Sequence, residues 1–212
     1  MSENGGLMTG SEFLGQRADR RPFLLAALPL VAMLVTGCGS KANNDTFDLS
    51  ITPSGQGPAA RNRQILVPEP TALKLLNSEQ VVVRVSPSEI QYLADSRWGD
   101  RLPALVQSKL VEAFENSGRL GGVGKPGQGL AIDYQVVTDI RAFEVTATSP
   151  RVANVEISAK LLNDRNGAVR AQSVFTATAP VSGQENRDFI EALDRAFAKV
   201  GAEIVDWSLK SM

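Results

Sequence analysis

The chain predicts an α/β fold, with α+β as the alternative: a single mixed β-sheet with two main amphipathic helices packed mainly on one face. Three observations predict it. β-branched and alternating runs fill residues 47–85 and again 132–181, one apolar stripe of helical period stands between them, and a second closes the chain. Strand order is not legible in the sequence.

Residues 1–37 read as a lipoprotein signal peptide. Arg17, Arg20 and Arg21 form a basic flank, Phe23 to Val35 an apolar run, and Thr36-Gly37 a small-residue end before Cys38, the single cysteine. The run, broken by Pro29, is shorter than the roughly 20 apolar residues of a membrane-crossing helix. Val35-Thr36-Gly37-Cys38 resembles a bacterial lipobox, so cleavage is expected between Gly37 and Cys38 and covalent lipid on Cys38. Stable anchoring takes two signals, such as two chains, at about 0.8 kcal/mol per buried methylene. Gly39 and Ser40 follow, with no Asp, which favours the outer membrane facing the periplasm; the inner membrane is the alternative. Arg20-Arg21-Pro22 also resembles a twin-arginine signal.

Residues 38–45 are short and polar, a lipidated tether. The folded domain is expected over 46–212. Phe47–Ile51 alternates as a half-buried strand, Thr52–Arg63 is a Pro- and Gly-broken loop, Ile65–Val67 a brief strand and Val81–Val85 a buried central one. Asp100 is positioned to cap a helix that tolerates Pro103 in its first turn. Its face is Leu102, Leu105, Val106, Leu110, Val111 and Phe114, and Asn116-Ser117-Gly118 stops it. Residues 118–129 read as a flexible glycine-rich connection. Ile132 to Val145 changes parity near Ala142, as a bulge or a strand break does. Val155, Ile157, Ala159 and Leu161 alternate against Asn154, Glu156, Ser158 and Lys160. Asn166-Gly167 turns this strand into the next, Val169 to Val181, and a closing helix spans about 186–209 with Phe189, Leu193, Phe197, Val200 and Ile204 inward.

Composition narrows the chemistry. Lys and Arg number 22 against 23 Asp and Glu, so no net field draws nucleic acid. With no histidine and one cysteine assigned to lipid, neither a Ser-His-Asp triad nor a His/Cys zinc site can be built. Asp133, Asp139, Glu144 and Glu156 leave a carboxylate-pair glycosidase formally open, but a solvated sheet face accounts for them more simply. Gly122-Val123-Gly124-Lys125-Pro126-Gly127 spells G-x-G-x-x-G between a helix and a strand, the reverse of the dinucleotide context; it is no P-loop either, since Pro126 follows Lys125. No catalytic, cofactor or metal residues are assigned.

Val81-Val82-Val83-Arg84-Val85-Ser86-Pro87, then Tyr92-Leu93, then Arg97-Trp98-Gly99-Asp100-Arg101-Leu102-Pro103, resemble the ABC-type transport auxiliary lipoproteins. Asp133-Tyr134 and Val155 to Ala159 fit the same pattern. The family's early aromatic strand is reduced here to Thr46-Phe47-Asp48-Leu49. The resemblance implies a non-enzymatic component of an MCE-type system, partnered by an MCE-domain protein and an ABC permease/ATPase complex that moves phospholipid or other hydrophobic molecules. Tyr92, Arg97 and Trp98 are candidate interface residues, since large aromatics with polar tips dominate binding hot spots. For Trp98 the competing role is packing at the helix entrance. Alternatives for the whole domain are a periplasmic lipid-binding carrier, or an envelope scaffold unrelated to transport. Substrate, oligomeric state and contact surface are not written in the sequence.

Overall fold

The computed structural model describes residues 44–51 and 56–212. The signal, Gly37, Cys38 and most of the tether lie outside the described residues. Within them stand nine strands and two helices; the single mixed sheet with two helices is the fold class the sequence predicts, and the strands outnumber those it marks.

The sheet is organised around β7 (Tyr134–Thr146), the longest strand. One of its edges pairs antiparallel with β8 (Val152–Asn163), and β8 in turn with β9 (Val169–Pro180), the outer strand on that side. The other edge is shared in series by three parallel strands. β2 (Ala60–Leu66) meets it at Tyr134 and Gln135, β3 (Thr71–Ala72) at Asp139 and Ile140, and β4 (Gln80–Ser86) from Glu144 to Thr146. Each outer strand then grows its own arm. β6 (Leu120–Gly124) lies parallel to β2; β5 (Glu89–Trp98) is antiparallel to β4 and carries β1 (Asp45–Phe47) in parallel. The sheet therefore forks at β7.

The expected parity change in β7 is a bulge between Ile140 and Ala142. The extra residue returns Phe143 and Val145 to the buried side already carrying Val136 and Ile140, so one strand keeps a continuous apolar face through a bend. The Asn166-Gly167 turn is present, with Gly167 at φ 69°. α2 (Asn186–Ser211) packs over β7, β8 and β9, and α1 (Leu102–Ser117) against α2 and β6. Trp98, Phe114, Phe143 and Phe197 are among the largest fully buried side chains between these layers.

Five readings of the sequence are corrected. Phe47–Ile51 is not a strand; pairing stops at Phe47, and Asp48 to Ile51 become a strap across the helices. There Leu49 is buried, Ser50 donates through N and Oγ to Asp194 at 2.6 Å each, and Asp48 meets Lys109 at 3.1 Å. The early loop and the glycine-rich connection each hide a strand, β2 from Ala60 and β6 from Leu120. A Cβ on Gly121 would stand 2.4 Å from the Arg61 carbonyl oxygen, so glycine serves close backbone approach here. Asp100 is not the cap of α1. That position is Arg101, the Asp100 carboxylate accepts from Arg101 N at 2.6 Å, and Leu102 N donates to Ser78 O at 3.0 Å. Gly118 ends the helix in the left-handed conformation at φ 62°, as expected. Finally, residues 89–98, given no element from sequence, form β5.

Candidate functional site

β5 holds all three candidate interface residues. After a register shift between Arg84 and Ser86 it pairs with β4 as far as Val82 opposite Tyr92, then resumes at Gln80 opposite Arg97, so Leu93 to Ser96 form a bulge that β4 does not match. Within it Asp95 takes φ 51°, which an Asp tolerates better than most residues. The first residue of α2 sutures the bulge: Asn186 Nδ2 donates to Ala94 O at 2.8 Å and to Ser96 Oγ at 2.9 Å. That helix start is itself held by Asp188, whose carboxylate accepts from Glu185 N at 2.8 Å.

The bulge separates the three residues by environment. Trp98 is 1 % exposed. Its ring meets Phe143 edge-on at 5.7 Å, and Phe143 meets Phe197 at 5.9 Å, an aromatic ladder from β5 through β7 to α2. Trp98 therefore packs the core and is not a direct interface contact, the correction its competing role foresaw. Tyr92 is 43 % exposed. Arg97 is exposed too, with Nε on Thr46 Oγ1 at 3.2 Å and Nη1 at 3.5 Å from Glu79. Among the described residues β1 pairs only with Ser96–Trp98, so the outer edge of β5 near Tyr92 has no strand beside it. The result is a phenol and a guanidinium displayed along a sheet edge, backed by a rigid aromatic stack.

Behind this edge lies a pair that the sequence reading missed. Arg84 Nε donates to Glu144 Oε1 and Nη2 to Oε2 at 2.8 Å, a bidentate contact joining β4 to β7, and Arg84 Nη1 reaches Pro87 O at 3.3 Å. The hydrogen bond that the guanidinium donates to Glu144 holds it above its ordinary pKa, against the opposing effect of desolvation. A charge inside the Val81–Val85 run was the available signal.

The four acids weighed for catalysis are each engaged. Asp133 accepts from Gln64 N at 3.1 Å and faces Arg63 and Arg165 at 3.4 and 3.6 Å. Asp139 accepts from Thr71 Oγ1 at 2.6 Å, and Arg141 bridges Asp139 and Glu156 at 3.7 Å each. Glu144 is paired with Arg84. Carboxylates so placed tie strands together. Among the described residues no group of three or more potential metal-ligating His, Cys, Asp or Glu side chains is found. Nor is any described helix long and apolar enough to cross a membrane.

Comparison with known proteins bears on this edge. A family model described as the ABC-type transport auxiliary lipoprotein component matches residues 47–205, which contain all of α1, most of α2 and all of β5. Protein bll6063 of Bradyrhizobium diazoefficiens is 29 % identical over 203 residues, covering 95 % of this chain and 53 % of that one. The chain thus spans about half the length of the curated relative it matches. Among solved structures, protein XCC0632 from Xanthomonas campestris, a DUF330 protein, is similar at TM-score 0.71 and 28 % identity, covering 79 % of this chain and 95 % of that one. A second crystal structure, of an uncharacterized protein, superposes at TM-score 0.61 with 15 % identity over 76 % of this chain and 95 % of its own, and shows the fold alone.

Proposed function

The chain belongs to the ABC-type transport auxiliary lipoprotein family, and from that premise we propose that it is the non-enzymatic, lipid-anchored periplasmic element of an MCE-type ABC transport system. In this reading lipid on Cys38 holds the domain to the outer membrane. The folded domain docks the MCE-domain protein and its permease/ATPase complex, bringing the transporter's periplasmic end to the membrane that receives or supplies phospholipid or another hydrophobic substrate.

The observation that carries the docking surface is the division of labour along β5. Trp98 is spent on the core, which fixes the strand, and Tyr92 and Arg97 are left outside on the same strand with no neighbouring β-strand over Tyr92. An aromatic and an arginine on a rigid support are what hot spots are made of, because little conformational freedom is lost on binding. A lipid carrier is less favoured because the space between sheet and helices is occupied by Trp98, Phe114, Phe143 and Phe197, and the partly apolar cleft at Arg84, Val85, Ser86, Pro87, Thr146 and Thr148 lies open at the surface.

Affinity co-purification of the full chain from cells tests the reading. The wild type should bring down the MCE-domain protein, and a Tyr92→Ala/Arg97→Ala double variant should bind it about thirtyfold or more weakly, the equivalent of about 2 kcal/mol. In the same cells a palmitate analogue should label the wild type and fractionate with outer-membrane markers, and Cys38→Ala should lose the label. Undiminished co-purification by the double variant would dismiss the β5 site; recovery with inner-membrane vesicles would dismiss the assigned membrane.

A further inference from the structure

α2 covers one face of β7, β8 and β9, and the opposite face of those strands carries a polar dip centred on Ser158. Val155, Ile157, Ala159 and Leu161 of β8 are fully buried on the helix side, so Glu156, Ser158 and Lys160 stand on the other. Across the strands Ser158 lies between Asp139 of β7 and Val174 of β9, and Lys160 between Val137 and Gln172. Serine is the short residue in that row. Two clefts of about 220 and 240 Å³ meet above it, both walled by Arg141 and Lys160. Ser158 is 8 % exposed, and among the described residues its hydroxyl makes no hydrogen bond, although polar groups so far buried are as a rule matched. Arg141 is brought to the same place by the bulge of β7. It is the residue left unpaired between Ile140 opposite Ile157 and Ala142 opposite Glu156, and re-aiming a side chain is what such bulges do. Asp139 and Glu156 flank its guanidinium at 3.7 Å each, ion-pair distances too long for hydrogen bonds, so its N–H groups are unspent. Lys160 has neither ion pair nor hydrogen bond among the described residues, whereas Asp139 already accepts from Thr71 Oγ1 at 2.6 Å. The unmatched capacity around Ser158 is therefore mainly that of donors: an ammonium, a guanidinium and a hydroxyl.

We propose that this dip is a binding site for a phosphate-type oxyanion, held by Arg141, Ser158 and Lys160. Donors from two strands converge on one small space, which suits a tetrahedral group with several oxygens better than a planar carboxylate with two. Arginine meets phosphate through parallel N–H groups and lysine adds a point charge. The Ser158 hydroxyl donates from the floor and gains the partner it lacks. Asp139 and Glu156 orient Arg141 and, sharing the ligand's sign of charge, keep the affinity in the millimolar range; at so open a site binding also weakens as salt rises. Inorganic phosphate and the phosphodiester of a lipid headgroup present this same chemistry. The site uses the sheet face away from the helices, not Tyr92 or Arg97 of β5, and stands independently of the transport reading.

Calorimetric titration of the full chain, extracted in a non-ionic detergent at low salt, tests the site with inorganic phosphate, glycerophosphoethanolamine and acetate as probes. The wild type should bind at least one of the two phosphates saturably, one per chain, and acetate more weakly. Lys160→Gln and Ser158→Ala should each weaken phosphate binding about tenfold, the usual loss when a hydrogen bond to a charged group is removed, and leave thermal unfolding unchanged. Arg141→Gln should weaken it as well. Because Arg141 also lies between two carboxylates, that variant may shift stability, and the Lys160 and Ser158 variants then decide. Tighter binding of glycerophosphoethanolamine than of inorganic phosphate would assign a lipid headgroup and the reverse order free phosphate; either supports the site. No saturable binding of either phosphate, binding undiminished in Lys160→Gln or in Ser158→Ala, or acetate held as tightly as phosphate would each overturn the proposal.

Discussion

Trp98 and Tyr92 sit on one strand and should respond to truncation in opposite ways. Removing the Trp98 ring leaves a void against Phe143, itself stacked on Phe197, so Trp98→Ala should cost about 3–5 kcal/mol in denaturant unfolding. Tyr92→Ala, at the surface, should stay within about 0.5 kcal/mol. Equal losses would contradict the assignment of core and surface roles. The sequence shows both aromatics beside a helix entrance but not which faces inward, because the alternation that would decide it is broken by the bulge at Leu93–Ser96. Arg84 and Glu144 make a second residue-scale case. Glu144 is buried and Arg84 half-buried, so Glu144→Ala strands a guanidinium that still reaches water and should cost about 1–3 kcal/mol. The double variant Arg84→Met/Glu144→Leu should recover most of that loss, and a cycle without coupling would show the pair to be idle. Because Glu144 raises the Arg84 pKa, the stabilisation linked to Arg84 is complete below its unfolded-state value and is lost only as pH rises through the folded one. Across neutral pH the guanidinium therefore adds no slope to stability.

At the scale of elements, the instructive segment is 118–129. Its glycines look like slack in a sequence, yet Gly121 and Gly122 lie in β6 beside β2, where the Arg61 carbonyl leaves Gly121 no room for a methyl group. Gly121→Ala should push β6 off β2 and lower stability by more than about 1 kcal/mol, while Gly127→Ala, with open space at φ 89°, should cost only the backbone strain of its conformation, about 1–2 kcal/mol. Hydrogen exchange at β6 separates them, rising only for Gly121→Ala. Composition marks glycine and cannot say whether it grants freedom or proximity. The long elements were legible because their signals are local and redundant. α2 shows its stripe across the whole helix, and β8 and β9 show alternation joined by Asn-Gly. β5 was invisible because its pairing depends on β4 and its shape on Asn186, far along the chain.

For the whole molecule, the fork at β7 divides stability unequally. β7, β8, β9 and α2 share long ladders and a common buried face, whereas β2 and β4 each hold β7 by a few residues at separate places. Native-state hydrogen exchange should find the β7–β8 amides slowest, with the β2–β6 and β4–β5 arms opening at lower free energy and independently of each other. Concerted exchange of both arms with β7 would mean a single cooperative unit. Fold class, helix faces and the meander were readable because they follow from period. The fork was not, since sharing one strand edge among three partners leaves no periodic trace. β1 and the strap that follows it, Asp48 to Ile51, have a mechanical meaning. Tension applied at the amino-terminal side of Asp45 reaches β5 through the parallel β1 ladder and the bond from Gly99 N to Phe47 O, α1 through Asp48 and Lys109, and α2 through Ser50 and Asp194. A force along β1 loads its bonds to β5 in shear, all together, and passes the remainder to two helices, so the domain bears traction like a lashed joint instead of peeling open from one end.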